Sequence, residues 1–279
     1  MITIEVIGGL GNQLFQYATG LSIAKRLKTE LVVDISRAIK YDVHPLRLTE
    51  LQCSSIFKSN RSMCEKIIRH RKLSKVNPFV YREKSIAFSA DIFNVLNGTK
   101  LYGYFQSEMY FSNIREQLLT EFVPNKSILI ENAKLIESIQ SDNSVSVHIR
   151  RGDYISDKSA SVTHGICSKE YYKKAIEYLR DTNQINKDTN FYIFSDDIIW
   201  CKENINYGEN TKYIDGNTPE LDLYLMSRCK HNIIANSTFS WWGAWLNNDI
   251  NKVVIAPKNW FRDDKLKNNN LIVESWISL

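Results

Sequence analysis

The sequence predicts an α/β protein made of two series of strand–helix units that divide near residue 140. Three observations lead there. Short apolar runs of strand length recur from the first residue onward. Segments with apolar residues at helical spacing separate them. Several runs end in glycine or in polar packets, at the place where open α/β sheets bind ligands.

In the first series, Ile2–Ile7 reads as a buried strand entering a glycine turn. Asn12–Leu27 follows as a helix, with Leu14, Phe15, Ala18, Leu21 and Ile23 on one side. Glu30–Ile35 is the next strand. Residues 36–98 show polar runs and only weak helical pattern. Lys100–Phe105 then reads as a strand, and Phe111–Phe122 and Ile128–Ile139 as helices. In the second series Ser144–Ile149, Asn190–Phe194, Lys212–Ile214, His231–Ala235 and Lys252–Ala256 are strands. The helices between them are Ser168–Arg180, Ile199–Asn204, one opened by Thr218 as N-cap with Pro219 behind it, and Thr238–Leu246. Two such series imply two Rossmann-like domains facing each other across a cleft, residues 1–140 and 141–279, with the last residues free to pack back on the first.

Composition narrows the class. At 279 residues with 43 % hydrophobic and 24 % charged residues, the chain is an ordinary globular protein, not a disordered or fibrous one. Its five cysteines are odd in number and never sit two apart, which argues against a disulfide framework or a zinc site and for a reducing compartment. No signal or membrane-spanning segment is visible, so the expected location is cytoplasmic. The net charge of +5 is uneven: residues 58–84 hold nine Lys/Arg against Glu65 and Glu83. That stretch suits a solvated face or peripheral contact with an anionic membrane. No nucleic-acid module is present.

Four packets carry chemistry. Gly8-Gly9-Leu10-Gly11-Asn12-Gln13 joins a strand to a helix, where glycine lets a backbone approach a ligand and the helix start favours an anion. A dinucleotide turn competes: Gly9-x-Gly11 fits its start and Asp34 its ribose acid, but Leu14 stands at the third glycine. A plain turn with Asn12 as N-cap is the bland reading. The second packet, His148-Ile149-Arg150-Arg151-Gly152-Asp153-Tyr154, ends a buried strand with guanidinium forks suited to phosphate. The third, Ser195-Asp196-Asp197, ends a strand with groups that can hold a nucleoside, a sugar hydroxyl or the next helix. Glu220 and Asp222 lie in a first helical turn, where the macrodipole accounts for them. In the fourth, Asn236-Ser237-Thr238-Phe239 opens a helix whose free N–H groups could hold a diphosphate. Trp241, Trp242 and Trp245 behind it read as core. No metal-ligand cluster accompanies any of them.

Together these packets resemble the α-1,2-fucosyltransferases of glycosyltransferase family 11. The matching runs are Gly9–Tyr17, His148–Tyr154, Ser195–Asp197 and Asn236–Leu246. The resemblance implies a GT-B type enzyme whose C-terminal domain binds GDP-L-fucose and whose N-terminal domain presents a galactoside. Inverting transfer to a 2-hydroxyl, without a metal or other cofactor, follows from it. So does a bacterial cytoplasmic enzyme of O-antigen or capsule synthesis, since the chain begins on its first strand. Residues 37–98 carry no family motif, and the resemblance puts acceptor recognition there. The catalytic expectation rests on Arg150, on His148, and on Asp153 as base. The substrate-binding set is Gly11, Asn12, His148, Arg150, Ser195, Asp196, Asn236, Ser237, Thr238 and Phe239. Within it, the resemblance brings Gly11 and Asn12 to the donor from across the cleft and puts Asp196 and Phe239 near the nucleoside. Two other readings stand beside this one: an NAD-linked oxidoreductase using Gly9-x-Gly11, and a non-catalytic nucleotide- or glycan-binding protein.

Overall fold

The computed structural model describes residues 1–60, 77–152, 165–262, 266 and 270–279. Asp153 and most of the basic 58–84 stretch lie outside the described residues. The chain forms two units, Met1–Val123 with a short segment ending at Leu271, and Pro124–Lys267 with Ile272–Leu279. The stretch read from the sequence as one helix over Ile128–Ile139 in the first domain forms two short helices that group with the second unit.

The first unit holds a parallel sheet of five strands: β1 (Ile2–Glu5), β2 (Leu31–Asp34), β3 (Ile56–Lys58), β4 (Val80–Arg82) and β5 (Lys100–Tyr102). Their order is β3-β2-β1-β5-β4. Strand β1 runs in register with β2, Ile2 opposite Leu31 and Glu5 opposite Asp34. The chain builds outward from β1 to β2 and β3, crosses to the far edge as β4 and comes back beside β1 as β5, so the order reverses between β1 and β5. Helix α1 (Leu10–Arg26) lies on the sheet through Gly20, where a Cβ would come within 2.9 Å of Leu31 and 3.0 Å of Ile4. The close helix–strand packing that a dinucleotide turn obtains from its third glycine is thus supplied here further along the helix.

Helix α2 (Arg115–Glu121) closes the unit around a buried carboxylate. Glu121, only 5 % exposed, accepts hydrogen bonds from the Tyr17 hydroxyl, from Ser54 Oγ at 2.7 Å and from Gln117 Nε2 at 2.6 Å. The Tyr17 and Ser55 hydroxyls are 2.9 Å apart. One side chain therefore ties α1, the 54–55 loop and α2 together.

In the second unit six parallel strands follow: β6 (Ser144–Ile149), β7 (Asn190–Ser195), β8 (Thr211–Tyr213), β9 (His231–Ile233), β10 (Val254–Ala256) and β11 (Ile277–Ser278). Their order is β11-β10-β9-β6-β7-β8, so the reversal falls between β6 and β9. The helices are α3 (Lys126–Glu131), α4 (Ala133–Ser141), α5 (Lys169–Asp181), α6 (Ile198–Asn204), α7 (Pro219–Arg228) and α8 (Thr238–Trp245). Strand β6 is buried along its whole length, and Val145, Val147 and Ile149 form a core with Tyr172, Ile176 and Leu179 of α5. Trp241 and Trp242 are fully buried with ring centroids 5.1 Å apart, and Trp276 packs on Trp241 at 5.5 Å. These tryptophans are core. Among the described residues no helix is long and apolar enough to cross a membrane.

The start of α7 departs from the sequence reading. Thr218 is its N-cap residue but its side chain makes no capping bond. Glu220 is buried, and burial pushes the Asp222 carboxyl up to about 7, against a hydrogen bond from Asn217 Nδ2 at 3.0 Å that favours the ionised form. Between about pH 4 and 7 the folded chain keeps a proton that the unfolded chain has released, so stability falls as pH rises through that window. Asp222→Asn should remove this loss, on the order of 2–4 kcal/mol. Melting curves of the two proteins should diverge in the variant's favour from pH 4 to 7.5 and run parallel above. A constant gap would contradict the burial of a protonated Asp222.

Candidate functional site

Register builds the centre of the site. In the β6–β7 ladder Ile149 lies opposite Ser195, so the next residues, Arg150 and Arg151, emerge beside Asp196 and Asp197. Arg150 Nη1 stands 3.0 Å from Asp196 Oδ2, with about a fifth to a quarter of each side chain exposed (22 % and 24 %). The other Asp196 oxygen accepts the Arg151 backbone N–H at 2.9 Å. Gly152 is needed at this corner, because a Cβ there would lie 2.7 Å from Asp196 Oδ2.

Arg151 does something different. Its Nε donates to Asp197 Oδ2 at 3.2 Å and its guanidinium lies 3.6 Å over the Trp200 ring. Asp197 also caps α6 by accepting the Trp200 N–H at 3.2 Å, and Ser195 Oγ accepts the Asp197 N–H at 3.0 Å. Arg151 is a brace for the strand tip, and Arg150 is the guanidinium held at its mouth. The sequence reading missed Trp200; its signal was an aromatic one turn beyond the cap residue Asp197.

Across the reversal point, β9 leads through Asn236 into α8. Ser237 caps that helix by accepting the Phe239 N–H at 3.3 Å. The Phe239 ring meets the His148 ring at 5.6 Å, so the tips of β6 and β9 converge on one spot. His148 is buried, and burial together with the Arg150 charge lowers its pKa to about 3. It is neutral in the working range, and its Nδ1 has no hydrogen-bond partner among the described residues. Thr238 and Phe239 are half-buried.

Asn236 turns inward. Its Nδ2 donates to the Gly165 carbonyl at 3.1 Å and the Trp260 carbonyl at 3.2 Å, which clasps two loops at the sheet edge. Beside it opens a cavity of about 280 Å3 lined by Gly165, Cys167, Ser168, Lys258 and Arg262, among others. Lys258 and Arg262 follow the tip of β10 and were not singled out from the sequence.

The glycine packet of the first unit is also resolved into parts. Gly8 has φ +88°, and Gly9, not Asn12, is the N-cap residue of α1. Gly11 is buried in its first turn. Asn12 Oδ1 accepts Gln106 Nε2 at 2.8 Å, a bond that spans the β1–β5 reversal. Gln13 Nε2 donates to the carbonyls of Gly8 at 2.7 Å and Pro45 at 3.0 Å. Asp34 Oδ1 accepts the Ser36 N–H at 3.0 Å, which forms the turn after β2. Among the described residues, no three His, Cys, Asp or Glu side chains gather as a metal ion would need.

Comparison with known proteins decides the family. The family model described as Glycosyl transferase family 11 matches residues 1–279. The chain belongs to that family. This family-11 glycosyltransferase is 38 % identical to an alpha-1,2-colitosyltransferase of Escherichia coli, over 100 % of this chain and 99 % of that protein. It is 33 % identical to the O-antigen biosynthesis glycosyltransferase WbnK of Escherichia coli, covering 98 % of both. A galactoside alpha-(1,2)-fucosyltransferase 2 of Hylobates lar matches at 25 % identity, over 88 % of this chain and 69 % of that one. The fold is shared with the NodZ alpha-1,6-fucosyltransferase (TM-score 0.53, 14 % identity, 88 % of this chain and 91 % of that one). It is shared too with a variant of Arabidopsis thaliana FUT1 in complex with GDP (TM-score 0.57, 10 % identity, 99 % and 75 %).

Proposed function

We propose that this family-11 glycosyltransferase moves L-fucose from GDP-L-fucose to the 2-hydroxyl of a galactoside, with inversion and without a metal, in assembly of a surface glycan such as an O-antigen. Its two parallel sheets are the two halves of a GT-B enzyme in this reading. One observation carries it: a braced guanidinium, Arg150, and the capped start of α8 converge at the reversal point of the second sheet. Breaking a nucleotide–sugar bond leaves charge on a diphosphate as the sugar becomes oxocarbenium-like. Arg150 donates to that charge, and the first N–H groups of α8 with the Ser237 and Thr238 hydroxyls share it. The proton of the attacking hydroxyl goes to Asp153 in this scheme. Near-normal turnover of Asp153→Asn would exclude that role.

The identity of 38 % with a colitosyltransferase over the whole chain supports a second donor. Colitose is L-fucose without its 3-hydroxyl, so the two differ by one hydrogen-bonding group in the donor pocket. The purified chain is given GDP-L-fucose or GDP-colitose, a β-galactoside, and excess chelator. Transfer from GDP-L-fucose in chelator supports the main reading; transfer from GDP-colitose alone replaces the donor. Failure of GDP to raise the melting temperature, in a panel with UDP and NAD, would contradict both.

A further inference from the structure

The first unit holds an aromatic side chain outward with more apparatus than its packing explains. Strand β5 stops at Tyr102 because the next N–H groups leave the ladder: those of Tyr104 and Phe105 donate to Glu83 Oε2 and Oε1 at 2.7 and 2.9 Å. Gln16 Nε2 donates to the Gly103 carbonyl at 3.1 Å. Gly103 is required, since a Cβ there would lie 2.5 Å from the Glu83 Cβ. Phe105 takes the left-handed conformation, φ +55°, unfavourable for a bulky residue, and its buried ring stands edge-on to Tyr110 at 5.7 Å. Backbone strain held from several directions at once marks a functional segment more often than a packing accident.

The result of this apparatus is Tyr104, 43 % exposed between two fixed neighbours. Tyr41 and Arg37 lie close enough to act on its hydroxyl electrostatically, and the Tyr41 ring is 6.1 Å from His44. His44 in turn lies against Gly9, 3.9 Å from where its Cβ would be. The cluster sits at the carboxyl edge of the sheet beside the β1–β5 reversal, where open α/β sheets take ligands. A tyrosine supplies broad contact area with few rotatable bonds, and its face suits the C–H face of a pyranose while rim polar groups meet the hydroxyls.

We propose that Tyr104 is the platform on which the sugar ring of the acceptor stacks. This rests on the glycosyltransferase reading above and assigns it a specificity-determining residue. The experiment uses the full chain, saturating donor, and methyl β-D-galactoside and N-acetyllactosamine as probes. Tyr104→Ala should raise acceptor KM about tenfold while GDP affinity and melting temperature stay at wild-type values, and Tyr104→Phe should return KM to within about twofold. An alanine variant with acceptor KM within about twofold of wild type overturns the proposal. So does a loss that falls on GDP binding, which would make the ring a nucleobase stack. If the wild-type chain transfers no sugar to either probe, the acceptor reading fails separately. Ligand-observed NMR then decides the platform: saturation transfer to methyl β-D-galactoside that vanishes in Tyr104→Ala supports it, and none with the wild type overturns it.

Discussion

Arg150→Ala should lower transfer by about 10²–10³ in kcat, the usual cost of removing one preorganised donor to developing charge. Arg150 pairs with Asp196 at 3.0 Å at a partly exposed strand tip, so its loss should leave melting temperature nearly unchanged. Arg151→Ala should behave in the opposite sense. That guanidinium lies over Trp200 and bonds Asp197, so its loss loosens the strand tip before it touches chemistry. Kinetics with saturating GDP-sugar, beside thermal melts of both variants, separate the two arginines. An Arg150→Ala enzyme that kept more than about a tenth of wild-type kcat would end the role assigned to this residue.

The largest loss of stability is expected at Glu121. Alanine there strands the buried Tyr17 donor, takes the acceptor from the partly exposed Ser54 and Gln117, and removes the tie between α1 and α2. An orphaned buried donor costs about 1–3 kcal/mol, and with the two partly exposed bonds to the carboxylate a total of about 3 kcal/mol is expected after water and rotamers adjust. That corresponds to a fall in melting temperature of roughly 6–12 °C. Glu121→Gln keeps one acceptor oxygen and should recover part of the loss. An alanine variant that melts with the wild type would show that the network is dispensable.

What the sequence disclosed and what it withheld follow from where the free energy comes from. Strands β6 and β7 were legible because β6 sets Val145, Val147 and Ile149 at alternate positions and β7 holds the unbroken buried run Phe191–Phe194. Their polar ends were legible for the same reason: an arginine or aspartate directly after a buried strand contrasts with it. Strands β3 and β4 were not legible. Each has three residues at a sheet edge, and Val80-Tyr81-Arg82 acquires its conformation from pairing with β5, a partner some twenty residues away in sequence. The strand expected over Lys100–Phe105 ended early because Glu83 takes two of its N–H groups, a tertiary bond with no local signature. Asn236 and Gln13 carried a different lesson. Both belong to motifs that attract a functional reading, yet their side chains hold loops in place.

The position of the donor's diphosphate is the decisive quantity, and a crystal structure of the chain with GDP measures it directly. The β-phosphate is predicted within hydrogen-bond reach of the Arg150 guanidinium, of the Thr238 N–H that opens α8 and of the Ser237 and Thr238 hydroxyls. A nucleotide seated instead at the opposite edge of the sheet, in the cleft of about 660 Å3 lined by Arg180, Lys187 and Tyr207, would contradict it.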